Sequence, residues 1–150
     1  MPEIIVETEI NAPAQRCFNA ARDIGLHCKT LAHTGERAVA GVTTGLIGPG
    51  ESVTFEGIHF GVRQQFTARV TAFEAPGYFV DETTEGAFHS MRHCHEFIPR
   101  GQGTLMRDIV QWKSPMGVLG IIADSLSLKR YMRNLITKRG QQLKHLIEAE

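Results

Sequence analysis

The chain has 150 residues, with 16 Lys+Arg balanced by 16 Asp+Glu and a formal net charge of zero when its His are neutral. A length of this order suits one domain, 1–150, able to bury roughly 70% of its unfolded surface and still enclose a cavity. Zero net charge gives no electrostatic reason to bind nucleic acid, and no run approaches the roughly 20 apolar residues of a membrane span. Cys17, Cys28 and Cys94 are an odd number without metal-type spacing, and read as reduced thiols in a cytoplasmic protein. The opening MPEIIVETEI has neither the basic start nor the apolar stretch of a signal peptide.

Residues 3–10 alternate, with Ile4, Val6, Thr8 and Ile10 on one face and Glu3, Glu7 and Glu9 on the other, which predicts a strand with one wet side. Asn11 is placed to cap a helix that starts near Pro13 and runs to about Arg22, with Cys17, Phe18 and Ala21 inward. A second short helix fits Asp23 to Leu31. Six breakers between Gly35 and Gly50 leave room for one short strand near Arg37–Ala40 and then a loop, whose Leu46 and Ile47 are placed to cover a pocket entrance.

From Glu51 the period becomes two. Val53, Phe55, Gly57 and His59 share a face. After a turn or bulge at Gly61, so do Gln64, Phe66, Ala68, Val70 and Ala72. Ala75-Pro76-Gly77 turns the chain into a strand at Tyr78–Thr84. Phe88–Ile98 and Thr104–Lys113 then form a hairpin about Pro99–Gly103. After Ser114-Pro115 a helix is expected from Ser114 or the Gly117 region to about Ala149. Its inward stripe is Ile121, Ser125, Leu128, Met132, Leu135, Arg139, Leu143 and Leu146, and its length of roughly 45 Å crosses a whole sheet. The order strand, two short helices, about six strands, long helix is α+β and not a doubly wound sheet.

The hairpin carries the chemistry. With its turn near Gly101, Met91 faces Val110, His93 faces Asp108, His95 faces Met106 and Phe97 faces Thr104. One face then holds Met91, His93, His95, Phe97, Met106, Asp108, Val110 and Trp112, apolar except for two imidazoles and a carboxylate. The other holds Arg92, Cys94, Glu96, Leu105, Arg107, Ile109 and Gln111, and is expected to be wet. A buried carboxylate needs a partner, and His93 supplies one to Asp108. Such a pair is open to four readings: a satisfied structural contact, a polar anchor for a ligand, a general acid/base, or part of a metal site with His95 and either His59 or Asp108. Nothing in the spacing secures convergence on an ion, so no metal and no cofactor are expected. If the sheet curls, His59 approaches the pair. Asp81 and Glu82, being adjacent, face opposite ways and are expected on a solvated edge. In the last helix Lys129, Arg130, Arg133, Lys138, Arg139 and Lys144 form a basic run whose ordinary role is a solvated face.

The stretches GLIGPGESVTFEGIHFGVRQQFTARV (45–70), YFVDETTEGAFHSMRHCHEF (78–97) and GTLMRDIVQWKSPMGVLG (103–120) resemble the START/SRPBCC superfamily, in particular bacterial proteins labelled polyketide cyclase/dehydrase or lipid-transport-like. The resemblance implies a helix-grip fold: a curved seven-stranded antiparallel sheet wrapped around the last helix, two short helices after the first strand, and a pocket for an apolar or aromatic molecule. It is carried by His59-Phe60-Gly61, by His93-x-His95-x-Phe97 and by Asp108, and implies no catalytic role for them. Similar sequences often look bulkier at the places of Phe55 and Met91, which implies a roomier cavity here.

The expected ligand-binding residues are Val53, Phe55, His59, Phe66, Met91, His93, His95, Phe97, Met106, Asp108, Val110, Trp112, Leu128 and Met132. The expected function is binding of a small hydrophobic or aromatic molecule by a monomer or homodimer. One alternative is a cyclase/dehydratase-type lyase or isomerase with His93 and Asp108 as its acid/base pair. The other is a module docking on anionic membrane or a partner through the basic helix, without stable insertion.

Overall fold

The computed structural model describes residues 2–59, 61–86, 90–113 and 125–150. Strand β1 (Glu3–Ile10) is buried at every second residue, as its alternation requires. Helix α1 (Ala14–Ala21) follows, with Cys17, Phe18 and Ala21 buried. Pro13, not Asn11, precedes the first turn of α1; the backbone N–H of Asn11 donates instead to Glu148 Oε2 at 2.8 Å, tying the end of β1 to the C-terminus. Helix α2 (Ile24–Thr30) is capped by Asp23, which accepts from the Leu26 N–H at 3.1 Å.

The remaining strands are β2 (Arg37–Gly41), β3 (Ser52–His59), β4 (Val62–Glu74), β5 (Tyr78–Gly86), β6 (Arg92–Arg100) and β7 (Gly103–Gln111), and the last helix is α3 (Ser125–Glu148). The strands form one antiparallel sheet in the order β1-β7-β6-β5-β4-β3-β2. This is the α+β helix-grip architecture: a seven-stranded sheet, a long C-terminal helix, and two short helices after the first strand. The expected helix start at 114–117 and the stripe residue Ile121 lie outside the described residues, as do Phe60 and Phe88.

The β6–β7 register differs from the expected one by two residues. Opposed pairs are His93–Val110, His95–Asp108, Phe97–Met106 and Arg100–Gly103. The turn is therefore the tight pair Gly101-Gln102, with Gly101 at φ 59°, instead of a wider loop over Pro99–Gly103. A slip of two keeps every side chain on its face, so the inward set survives while each cross-strand partner changes. In β4 the alternation breaks between Val70 and Ala72, where the pairing with β5 is irregular; beyond it Phe73 rather than Ala72 packs on the core.

Three apolar clusters hold the layers together. Phe18, Cys17 and Ala21 of α1 meet Phe79, Phe97 and Met106 of the sheet and Leu143 and Ile147 of α3. Ile4, Val6, Val110 and Trp112 meet Leu128, Met132 and Ile136 of α3. Ile24 and Ile47 meet Val53, Phe55 and Val70. Side chains of this size contribute about 1.5–3 kcal/mol each when fully buried. The buried stripe of α3 is Leu128, Met132, Ile136, Arg139, Leu143 and Ile147. Leu135 and Leu146, expected inside it, are only partly buried, because the helix turns by 3.6 residues and Ile136 and Ile147 take the centre line.

Candidate functional site

Helix α3 lies along β1 at one edge of the sheet, and the β3–β5 side stands away from it. The gap is a cavity of about 110 Å³. Its apolar wall comes from Ile24, Leu31 and Ile47 on the α2 side, Val53, Phe55, Phe66, Ala68, Val70 and Phe79 on the sheet, and Met132, Leu135 and Ile136 on α3. Polar groups break this wall: His27, Glu36, His59, Asp81, His93, His95, Arg22 and Arg139. A smaller space of about 40 Å³ adjoins it, sharing His59, Phe66, Met91, Met132 and Leu135 and adding Gln64 and Tyr131.

Two polar groupings face this space. The first sits on β5, β6 and β7. Asp108 is fully buried, and its Oδ1 accepts from His93 Nε2 at 2.8 Å and from Arg139 Nη1 at 3.4 Å. His95 Nδ1 lies 3.4 Å from the same oxygen, and His95 Nε2 lies 2.7 Å from Asp81 Oδ2. The imidazoles of His93 and His95 stack with centroids 3.7 Å apart, and His95 stacks in turn on Phe79 at 4.2 Å. Burial works to raise the pKa of Asp108, but the hydrogen bond from His93, the nearby imidazole of His95 and the charge of Arg139 outweigh it and hold the carboxyl well below its usual range. Asp81 is held low in the same way by His95. Burial also disfavours the cationic form of His95, yet the nearby Asp108 carboxylate and the bond to Asp81 win and its pKa rises. His93 moves down, driven first by burial and then by repulsion from His95.

The second grouping joins α2, β3 and α3. Glu36 is buried and accepts from Thr34 Oγ1 at 3.2 Å, with His27 Nε2 and His59 Nε2 each 3.5 Å from its oxygens. His59 Nδ1 is 2.6 Å from the Tyr131 hydroxyl. The carboxyl fits because Gly57 lies beneath it: a Cβ there would stand 2.5 Å from Glu36 Oε2. Burial alone would raise the Glu36 pKa; the imidazoles of His27 and His59, each 3.5 Å from its oxygens, reverse this and hold it at about 2. Burial lowers the pKa of His27 and raises that of Tyr131. Glu36 Oε1, His27 Nε2, Thr83 Oγ1, His95 Nδ1 and Asp108 Oδ2 are buried without a hydrogen bond to the described residues.

Of the residues expected to line a pocket, Val53, Phe55, His59, Phe66, Met91, His93, His95 and Met132 do so. Asp108 stands behind the wall and reaches it through His93, His95 and Arg139. Phe97 and Met106 do not line it, because α1 and Leu143 cover them. Val110, Trp112 and Leu128 do not either, because α3 closes directly over β1 and β7 there. His59 turns to Glu36 and Tyr131 instead of joining His93 and Asp108. Ile47 is a wall residue, whereas Leu46 is exposed at 44%.

Asp81 is not on a wet edge. It shares the inward face with Phe79, stands opposite His93 and lines the cavity, a parity that the strand 78–84 already implied. His27 was legible from the helical spacing Ile24, His27, Leu31. Glu36 was not, since it lies between a single 3-10 turn at Ala32–Thr34 and β2, where no period applies. Arg139 belongs to the buried stripe and not to the basic surface, at 3% exposure, and Lys144 is bonded to Glu148 and the Glu9 carbonyl. No described helix is long and apolar enough to cross a membrane.

No protein-family model and no curated protein matches the sequence. Solved structures match over nearly the whole chain. TTHA0849 from Thermus thermophilus is 19% identical with a TM-score of 0.79, covering 99% of this chain and 98% of that one. The Zhui aromatase/cyclase from Streptomyces sp. R1128 is 12% identical with a TM-score of 0.78, covering 98% and 93%. Ara h 8.0201 is 11% identical with a TM-score of 0.71, covering 99% of both chains. The fold of this chain is therefore the helix-grip fold that these structures share.

Proposed function

We propose that the chain binds a small, largely apolar or aromatic molecule in the cavity between sheet and α3, oriented by one or two hydrogen bonds from the buried polar groups. The observation that carries this reading is the combination of an apolar space of about 110 Å³ with buried polar atoms on its wall, His27 Nε2 and Glu36 Oε1 among them, that make no hydrogen bond to the described residues. A dry cavity of roughly 150 Å³ accepts benzene, whereas sites for drug-sized ligands start at roughly 300 Å³. The preferred ligand therefore has about one ring and one hydrogen-bonding substituent. Native mass spectrometry and calorimetry with phenol and with benzene test this. Saturable one-to-one binding, tighter for phenol, supports it; no saturable binding of either molecule contradicts it.

The second reading, acid/base chemistry of the cyclase or dehydratase type on a carbonyl compound, is favoured by His93 and His95. Their pKa values move in opposite directions although their rings touch. Groups driven apart in this way divide the roles of base and acid between them, with neutral His93 the base, His95 the acid and Asp108 orienting both. A fold relative named an aromatase/cyclase is consistent with it. His93→Ala then abolishes turnover of a cyclisable polyketone by the fraction that remains folded; an unaltered rate removes the reading.

A further inference from the structure

We propose that Asp81, His93 and His95 form a site for one divalent transition-metal ion, Zn²⁺ or Fe²⁺ in chemical type, facing the cavity. Each of the three offers one ligand atom, and these atoms all lie within 4.8 Å of one another. The proposal does not rest on the binding of an organic ligand and stands or falls separately from it.

Four features of the geometry point to an ion. First, the donor set is two imidazoles and one carboxylate, a combination that binds Zn²⁺ or Fe²⁺ and leaves coordination positions open. Secondly, the donors come from rigid neighbouring strands: His93 and His95 alternate on β6, and Asp81 stands directly opposite His93 on β5. Thirdly, Asp108 supports both imidazoles from behind. It takes His93 Nε2 at 2.8 Å and faces His95 Nδ1 at 3.4 Å, which leaves His93 Nδ1 and His95 Nε2 as the ring nitrogens for an ion. A buried carboxylate behind a ligating imidazole fixes its tautomer and raises its basicity. Fourthly, with neutral imidazoles the group carries two carboxylates, Asp81 and Asp108, against one guanidinium, Arg139, a local charge of minus one that favours a cation.

The imidazoles now stack, with 3.7 Å between centroids and 19° between planes. Two nitrogens bound to tetrahedral zinc at about 2.1 Å stand about 3.4 Å apart. The required change is therefore a tilt of each ring about its soft terminal torsion, with no movement of the strands. The Asp81 oxygen is already 2.7 Å from His95 Nε2, and an ion entering between them widens this contact by a fraction of an ångström. The open positions then face the apolar space lined by Phe79 and Met91.

The test is titration of the EDTA-stripped chain with Zn²⁺ by calorimetry, and with Co²⁺ by visible absorption. The expected result is saturation at one equivalent, with tetrahedral or five-coordinate Co²⁺ bands. Asp108→Asn should weaken Zn²⁺ binding about 10–100-fold, and His93→Ala by more. Should these variants fail to fold, long-range ¹H–¹⁵N imidazole spectra of the unaltered chain decide. Zn²⁺ must shift His93 and His95 and leave the other five histidines in place. Absence of uptake, or uptake that tracks to the other histidines or to the cysteines, overturns the proposal.

Discussion

His93 meets Asp108 on the diagonal of the β6–β7 hairpin: Nε2 and Oδ1 are 2.8 Å apart, although the residue directly opposite Asp108 is His95. Asp81 repeats the pattern on the other side of β6, opposite His93 but bonded to His95 at 2.7 Å. The His95 imidazole thus lies between two carboxylates on neighbouring strands, His93 is bonded to one of them, and Arg139 reaches down from α3 to offset part of their charge.

Asp108 is the member whose loss the interior tolerates least. Asp108→Asn keeps the shape but leaves the Arg139 guanidinium, at 3% side-chain exposure, without a counter-charge. Breaking a buried pair of this kind costs about 3–5 kcal/mol. Urea unfolding at pH 7 measures it. The comparison is Arg107→Ala on the outer face, where the pair with Glu7 is exposed and a loss of less than about 1 kcal/mol is expected. Equal losses at the two sites contradict the account.

Glu36 makes stability depend on acid. Its pKa is about 2 in the fold against an ordinary 4.5, so the unfolded chain takes up the proton first. The stabilisation is complete above pH 4.5 and is lost as pH falls from there through 2; from the shift it amounts to about 3 kcal/mol. Urea unfolding between pH 6 and 3 is expected to fall more steeply for the natural chain than for Glu36→Gln. Parallel curves exclude the role of His27 and His59 in holding the carboxylate ionised.

Gly140 lets α3 lie against β1. A Cβ at that position would stand 2.6 Å from Thr8 Oγ1. Helix propensity alone would make Gly140→Ala stabilising by about 1 kcal/mol; the overlap is expected to reverse the sign, with a net loss of about 1–3 kcal/mol. Gly140→Ala combined with Thr8→Ala removes the overlap and is expected to recover most of that loss. Thermal melting of both variants, with Thr8→Ala alone as the reference for the double one, checks both statements.

Ala68 is a small residue on the sheet wall of the cavity, opposite Val53 on β3 and on the same strand as Phe66. Ala68→Phe is expected to fill the space and reduce phenol binding at least 100-fold with little change in melting temperature. Retained binding places the ligand elsewhere.

Much of this was legible from period and composition. The inward set Val53, Phe55, Met91, His93 and His95 follows from alternation alone, because a strand has only two faces. Partner assignment was less legible: a slip of two leaves the faces intact, and the choice between a two-residue turn and a wider one at Gly101 decides it. The extent of the cavity was not legible. Phe97, Met106, Val110 and Trp112 share the face of His93 yet are covered, and that depends on where α3 and α1 rest on the sheet. Glu36 escaped because a buried carboxylate outside any regular element leaves no periodic trace.

The central claim, a small apolar ligand inside the grip of α3, is tested most directly by titrating phenol into the chain labelled at its methionine methyl groups. The account predicts saturable shifts at Met91 and Met132, which line the space, and none at Met106, sealed beneath α1. Linear, unsaturated shifts, or shifts equal at all three methionines, would contradict it.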